Sequence, residues 1–388
     1  MPISPSNLEP VVFVLDVPVL DADTDPNPQD QQVNLYWAPT LRIPARNWPG
    51  CRLYYFRSAG DIREISISRP LGAPSAVIQN AVGDMQHWHV DRNTQIILRY
   101  PYREASFVSA ASWQQLVNGA NLGAIIKKNT LGAYTGEVEL VQFMSARRVN
   151  NEIVLFDLLR GRHGTDTMAK GHVAGEDFVL LEDGSDTPSF RLQQDQADGS
   201  TVIRYYTTNL GVNVADVAGF PLKLAQVLIG RSLFPFAPVR VRAKRLANGT
   251  IEISWIRRGR YNSDLQRGYI PYTERDKDGR LFLGYRVQID QVGANAVDFD
   301  SETPNSPFTF DLPMLNAADV EDRQIVDTGL VDSRGRMIKA SGKVIFTPPA
   351  TPVDLTGLQV GSTLSIRVTQ LNYHRDSGFG NFQSVKVE

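Results

Sequence analysis

A mainly β chain of antiparallel strands is what this sequence predicts, on three observations. Short runs alternate apolar and polar residues with a period of two, their apolar positions are drawn from Val, Ile, Leu, Tyr and Phe, and clusters of Gly, Pro, Asn and Asp separate them. Helical signals are few. With 388 residues, 42% hydrophobic and 21% charged, the chain is long enough for two or three domains with cores of their own.

In order along the chain, residues 1–185 read as one β-rich domain. Its strands are VVFVLDVPVL (11–20), RLYYFRS (52–58), TQIILRY (94–100), GEVELVQF (136–143) and EIVLFDLL (152–159). The best helical signal is SAASWQQLVNGAN, where Ser109 or Ser112 caps a short helix that stops at Gly119. Residues 186–237 read as a strand-containing connector. DTPSFRLQQDQADGSTVIRYYTTN carries two strand-like pieces around an Asp-Gly turn, and LFPFAP predicts extended chain whose rings pack on a neighbour.

From 238 to 388 the alternation sharpens. Ile251, Ile253 and Trp255 share one face of TIEISWIRR, Tyr285, Val287 and Ile289 one face of GYRVQID, and Leu364, Ile366 and Val368 one face of LSIRVTQLNYH, before a last strand in FQSVKVE. A tryptophan on an early strand, a Tyr-x-Val-x-Ile strand and a Leu-x-x-Leu-x-x-Gly-Ser-Thr turn before a long strand resemble a fibronectin type III sandwich. The span is longer than such a sandwich needs, and the excess at 257–283 and 291–350 predicts protruding loops or an added hairpin. ASGKVIF (340–346) suggests a further turn.

Charge and composition remove whole classes of function. A net charge of −2 gives no global attraction for phosphates, so no nucleic-acid partner is expected. The single cysteine, Cys51, has no partner for an intrachain disulfide or a thiolate zinc site. No apolar window is long enough for a membrane span, so no stable membrane insertion is expected. MPISPSNLEP lacks the basic-then-apolar order of a secretory signal, which predicts synthesis in a cytosol and makes Asn248-Gly-Thr a turn.

The most unusual stretch is LLRGRHGTD (158–166). It lacks the Gly-Lys-Ser/Thr ending of a phosphate-binding loop, and no convincing helix follows it. Arg160, Gly161, Arg162, Gly164 and Thr165 therefore read as a structural turn: the glycines allow tight backbone, Thr165 or Asp166 bonds back to amides, and the arginines brace neighbouring loops or a neighbouring subunit. His163 and His172 flank the turn as hydrogen-bonding loop residues. HWH (87–89) puts two imidazoles on one strand face, either a metal pair needing a third ligand such as Asp84 or Asp91, or partly exposed strand histidines. DADTDPNPQDQQ (21–32) begins like a calcium loop but has Pro26 where the turn needs Gly and Gln32 where a bidentate Glu is wanted, which excludes an EF-hand and leaves a solvated acidic loop, with a looser calcium site as the alternative. WIRRGR and the loop after it form a candidate contact loop of Trp255, Arg257, Arg258, Arg260, Tyr261, Tyr269 and Tyr272, rich in the residue types favoured at interfaces. The rival reading is a strand end feeding a loop. No carboxylate pair sits in a recognisable setting and no Gly-x-Ser-x-Gly elbow occurs, which leaves no catalytic residue, cofactor or metal ligand to name.

The order of the pieces carries a resemblance. GANLGAI, GEVELVQF, LLRGRHGTD, HVAGEDFVLL, PFAPVRVRAKR and TIEISWIRRGR follow one another as in the carboxyl-terminal half of phage tail tip proteins, the host-specificity or tail-hub proteins of siphophages and gene transfer agents. The similarity runs from LDVPVLDADTD to the fibronectin-like end. It implies a structural component of a phage tail tip or baseplate that links the tail hub to host-attachment parts, a homotrimer in the virion bound to other tail-tip proteins, with assembly in the host cytoplasm. The hub domains and glycosidase-like barrel that large family members carry upstream are expected on another polypeptide or lost. The resemblance leaves two alternatives: direct binding of a cell-surface receptor, a glycan or pilus, and hydrolysis of an envelope polymer.

Overall fold

A computed structural model describes residues 10–18, 20, 32–41, 51–58, 61–67, 73–85, 90–100, 110–117, 119–182, 189–193, 202–209, 224–234, 236, 239–245, 251–256, 284–290, 308–313, 325–331, 337–341, 343–346, 363–371 and 383–386. The fold is mainly β, with every strand pair antiparallel. Among the described residues no helix is long and apolar enough to cross a membrane. The chain divides into two compact units, Met1–Leu233 and Phe234–Glu388.

The first unit begins with β1 (Pro10–Leu15), β2 (Gln32–Leu41), β3 (Cys51–Ser58) and β4 (Asp61–Ile67). Next come β5 (Ser75–Ile78), β6 (Ile96–Arg99), the short helix α1 (Trp113–Val117), β7 (Leu122–Lys128), β8 (Tyr134–Val149), β9 (Glu152–Leu159) and β10 (Asp177–Glu182). Last are β11 (Ser189–Gln193), β12 (Val202–Asn209) and β13 (Leu224–Val227). The six strands β5 to β10 close into a barrel in the order β10-β5-β6-β9-β8-β7. Its interior is packed solid by Ile78, Ile96, Leu98, Ile125, Val141, Phe143, Ile153, Leu155, Phe178 and their neighbours, as a small barrel requires. Phe178 lies so close to Gly123 on β7 that a Cβ there would sit 2.3 Å from the ring.

The barrel is nested inside the strands that flank it in sequence. β11 joins β1 and β2 in the sheet β1-β2-β11, while β12 and β13 join β3 and β4 in the sheet β13-β12-β3-β4. Within 186–237, read from sequence as a strand-containing connector, β11, β12 and β13 thus complete sheets begun before the barrel. Alternation decides which neighbour each residue meets. Phe13, Leu15, Tyr36 and Ala38 pack on the barrel wall at Leu122, Ala124, Val138, Leu140 and Val179, whereas Val12, Val14, Leu35 and Trp37 pack on the other side with Cys51, Leu53, Phe190 and Leu233. Being covered on both faces explains why VVFVL is apolar at every position. Asp16, just past β1, accepts hydrogen bonds from the amides of Ile229, Gly230 and Arg231 at 2.7, 3.1 and 2.7 Å and pins the end of the unit to its start.

The helix α1 is capped by Ser112: its Oγ accepts from the Gln115 amide at 3.3 Å and the Gln115 Oε1 accepts from the Ser112 amide at 2.7 Å, a reciprocal capping box. Gly119, at φ 97°, follows in a conformation that suits glycine. Ser109 lies outside the described residues.

The second unit contains β14 (Val239–Arg245), β15 (Ile251–Ile256), β16 (Gly284–Asp290), β17 (Phe308–Pro313), β18 (Ile325–Val331), β19 (Met337–Ser341), β20 (Lys343–Phe346), β21 (Thr363–Leu371) and β22 (Gln383–Lys386). The strands form the sheets β14-β15-β20 and β17-β16-β21-β22, and β18 and β19 form a hairpin between β17 and β20. β20 follows β19 but pairs with β15, so ASGKVIF carries the chain from the hairpin into the first of these sheets. Val241, Ala243, Ile253, Trp255, Ile366 and Val368 are buried, two apiece at alternate positions of β14, β15 and β21.

Candidate functional site

The RGRHGT corner closes one end of the barrel, and β9 delivers it there. Asp157 has φ 51° and interrupts the alternation of β9, so that Ile153 and Leu155 are followed in the barrel core by Leu158. Arg160 comes two residues after Leu158. Gly161 (φ 60°), His163 (φ 49°) and Gly164 (φ 79°) coil the backbone through left-handed conformations. At Gly161 there is also no room for a side chain, since a Cβ would lie 2.6 Å from the Cα of Asp166. Thr165 secures the turn: its Oγ1 donates to the Arg162 carbonyl at 2.8 Å and accepts from the Leu140 amide at 2.9 Å.

Beneath the turn lies a buried set of four charged side chains. Arg160 grips Glu139 of β8 with two prongs, Nε to Oε1 at 2.6 Å and Nη2 to Oε2 at 2.8 Å, and its Nη1 donates to the Gly83 carbonyl at 2.8 Å. The Gly161 amide adds a third donor to Glu139 Oε1 at 2.9 Å. His172 sits between two carboxylates. Its Nδ1 is 2.6 Å from Glu176 Oε2 in a hydrogen bond, and its Nε2 is 2.8 Å from Glu139 Oε2 in a close ionic contact without hydrogen-bond alignment. The side chains of Glu139 and His172 are 0% exposed and that of Arg160 is 1% exposed.

Burial pushes the Glu139 carboxyl up, but the His172 imidazole close beside it and the charge and hydrogen bonds of Arg160 outweigh this and hold the group below the usual carboxylate range. For His172 burial acts downward, while Glu139 and Glu176 act upward and prevail, so the imidazole keeps its proton above the ordinary histidine range. Two cations thus face two carboxylates, the arrangement by which charges survive desolvation. The second arginine does similar work three residues further along β8. Arg162 Nε donates to Gln142 Oε1 at 2.6 Å, and Gln142 Nε2 donates to the carbonyls of Leu116 and Ala120 at 3.0 and 2.7 Å, which ties the corner to α1.

All five turn residues named from sequence, Arg160, Gly161, Arg162, Gly164 and Thr165, meet at this corner. Their partners Glu139, Gln142 and Glu176 were not singled out by sequence reasoning, and His172 was read only as a loop residue. One signal was present: Glu139 falls at the same alternation as Val141 and Phe143, an acid on a core-facing stripe. The contact loop needs a correction at Trp255, which is 2% exposed on β15 beside the buried Ile253 and is therefore a core residue. Arg257, Arg258, Arg260, Tyr261, Tyr269 and Tyr272 lie outside the described residues, as do His87, His89 and 21–31 of the acidic loop. Asp84 and Asp91, the ligands considered for a histidine pair, both accept backbone amides: Gly171 on Asp84 at 2.7 Å, and Asn93 and Thr94 on Asp91 at 3.0 Å each. Among the described residues no group of three His, Cys, Asp or Glu side chains is placed to hold a metal ion.

Comparison with known proteins gives one family match. Residues 73–179 match the family described as Rcc01698-like, C-terminal. None of the curated proteins matches the chain. The matched stretch runs from just before β5 into β10, so this similarity covers the nested barrel and includes Glu139, Arg160, His172 and Glu176.

Proposed function

We propose that this chain is a structural subunit of a phage tail tip or baseplate, joining a tail hub to host-attachment parts. The observation that carries the reading is the state of the RGRHGT corner. Its arginines spend their donors on Glu139, Gln142 and Gly83 inside the protein, and its glycines are used for backbone closure, which is the chemistry of a rigid frame. The order of the sequence pieces supports the same reading, and a fibronectin-like unit after a barrel supplies the surface area an assembly part needs. On this reading the chain is not an enzyme, acts as a homotrimer, binds other tail-tip proteins and resides in the virion. Receptor binding and envelope-polymer hydrolysis remain the rivals; Trp255, one of the residues proposed to touch a receptor, is in the core.

The test is to locate the chain in particles of the phage that encodes it. Labelling of purified virions is expected at the distal end of the tail in a multiple of three copies, and deletion of the gene should yield tails without tips. Complete, infective particles that lack the polypeptide would refute the proposal.

A further inference from the structure

The segment 170–175 at the plugged end of the barrel is held in an unusual way. Lys170, Gly171, Val173, Ala174 and Gly175 are all exposed, and His172 alone turns inward to become buried. A short bridge pairs His172 with Val82, the Gly171 amide rests on the exposed Asp84, and Lys128 Nζ reaches the Gly175 carbonyl at 2.8 Å from the rim of β7. Backbone bonds hold its end to β5, from the Gly175 amide to the Ile78 carbonyl at 2.8 Å and from the Ile78 amide to the Glu176 carbonyl at 2.9 Å, and the side chain that fastens its middle is the His172 imidazole between Glu139 and Glu176.

We propose that His172 is a proton-operated latch: as an imidazolium it locks segment 170–176 onto the end of the barrel, and on losing its proton it releases that segment while the barrel strands stay closed. The charged groups facing the imidazole, among the described residues, are Glu139 from β8 and Glu176 just before β10; Arg160 acts on it through Glu139. Lys128 and Asp177 pair with each other at 2.8 Å on the rim and do not touch the imidazole. With the proton gone, His172 offers Glu139 and Glu176 one donor between them, and a carboxylate buried without compensation is strongly disfavoured or draws in water. Glu176 Oε1 already lacks a hydrogen-bond partner among the described residues, so that carboxylate depends on the imidazole at its other oxygen. Arg160 keeps Glu139 bound to the corner in either state, which confines the change to the segment.

The direction with pH follows from linkage. His172 titrates higher in the fold than in the unfolded chain, so the stability it contributes is complete below about pH 6.5 and is lost as pH rises through its folded value. The lowered Glu139 is the reverse case, present above the usual carboxylate range and lost only as pH falls through its depressed value. The latch is therefore shut in mildly acidic solution and opens as pH rises through the raised folded value of His172.

Hydrogen exchange on the full chain, corrected for the intrinsic pH dependence of exchange, tests this. Peptides covering 170–176 should lose protection from pH 6 to pH 10 while those covering β8 and β9 keep theirs, and the His172→Gln variant should show low protection in that segment at every pH. Protection of 170–176 in the natural chain that does not change with pH would overturn the latch. Should His172→Gln fail to fold, titration of the His172 ring by NMR in the natural chain decides the matter, because an imidazole that loses its proton below the ordinary histidine range refutes it.

Discussion

Replacing Arg160 with Met should expose how much the barrel depends on its charged plug. The substitution keeps an unbranched apolar side chain but deletes three donors, two to Glu139 at 2.6 and 2.8 Å and one to the Gly83 carbonyl at 2.8 Å. Glu139 stays behind at 0% exposure with only the Gly161 amide and His172 to compensate it. Breaking a buried pair from one side costs about 3–5 kcal/mol, two to four orders of magnitude in the folding equilibrium. The companion variant Arg160→Met/Glu139→Leu removes both charges and leaves His172 with Glu176, so it should recover a large part of that loss despite carrying one more substitution. Equilibrium urea unfolding of the full chain, with exchange of β8 amides as the reporter for the barrel, measures both. The reasoning fails if the single substitution costs less than about 1 kcal/mol, or if the double variant is no more stable than the single one.

Three further outcomes follow from contacts described above. Gly161→Ala must adopt φ 60° with a Cβ 2.6 Å from the Asp166 backbone, so thermal unfolding of the first unit should show a loss above about 1 kcal/mol; an unchanged midpoint would mean that the corner can rearrange. Gly123→Ala places a Cβ 2.3 Å from the Phe178 ring and should cost about 1–3 kcal/mol by overpacking, with Phe178→Leu in the same chain giving part of it back; additive losses in a double-mutant cycle would count against the clash. Trp255→Ala should destabilise the second unit by about 3–5 kcal/mol, read by exchange in β15 and β21, while the barrel amides keep their protection.

The strands of GEVELVQF and EIVLFDLL were legible because alternation is a local property, and the RGRHGT turn because glycine at such density has few other uses. The partners of that turn were not legible. Glu139 and His172 stand 21 residues before and 12 after Arg160, and sequence periodicity says which face a residue takes without saying what lies opposite. For the same reason residues 189–193 and 202–209 could be read as strands but not assigned to β2 and β3, from which the whole barrel separates them. The second unit was easier: its two sheets are built largely from neighbours in sequence, and the added hairpin fell inside the excess at 291–350. Trp255 shows two local rules in conflict. Its alternation with Ile253 marked a core position and the arginines after it suggested a contact surface, and the alternation governs where the ring goes.

The nesting of the barrel sets an order of events during synthesis. Strands β1 to β4 leave the ribosome first, yet the strands that complete their sheets arrive only with residues 189–227, after more than a hundred intervening residues have been made. The barrel needs nothing later than Glu182 to join its own ring of hydrogen bonds. A nascent chain halted soon after that point would carry a finished ring attached to a leading arm of unmatched strand edges, the part of the molecule most in need of a chaperone.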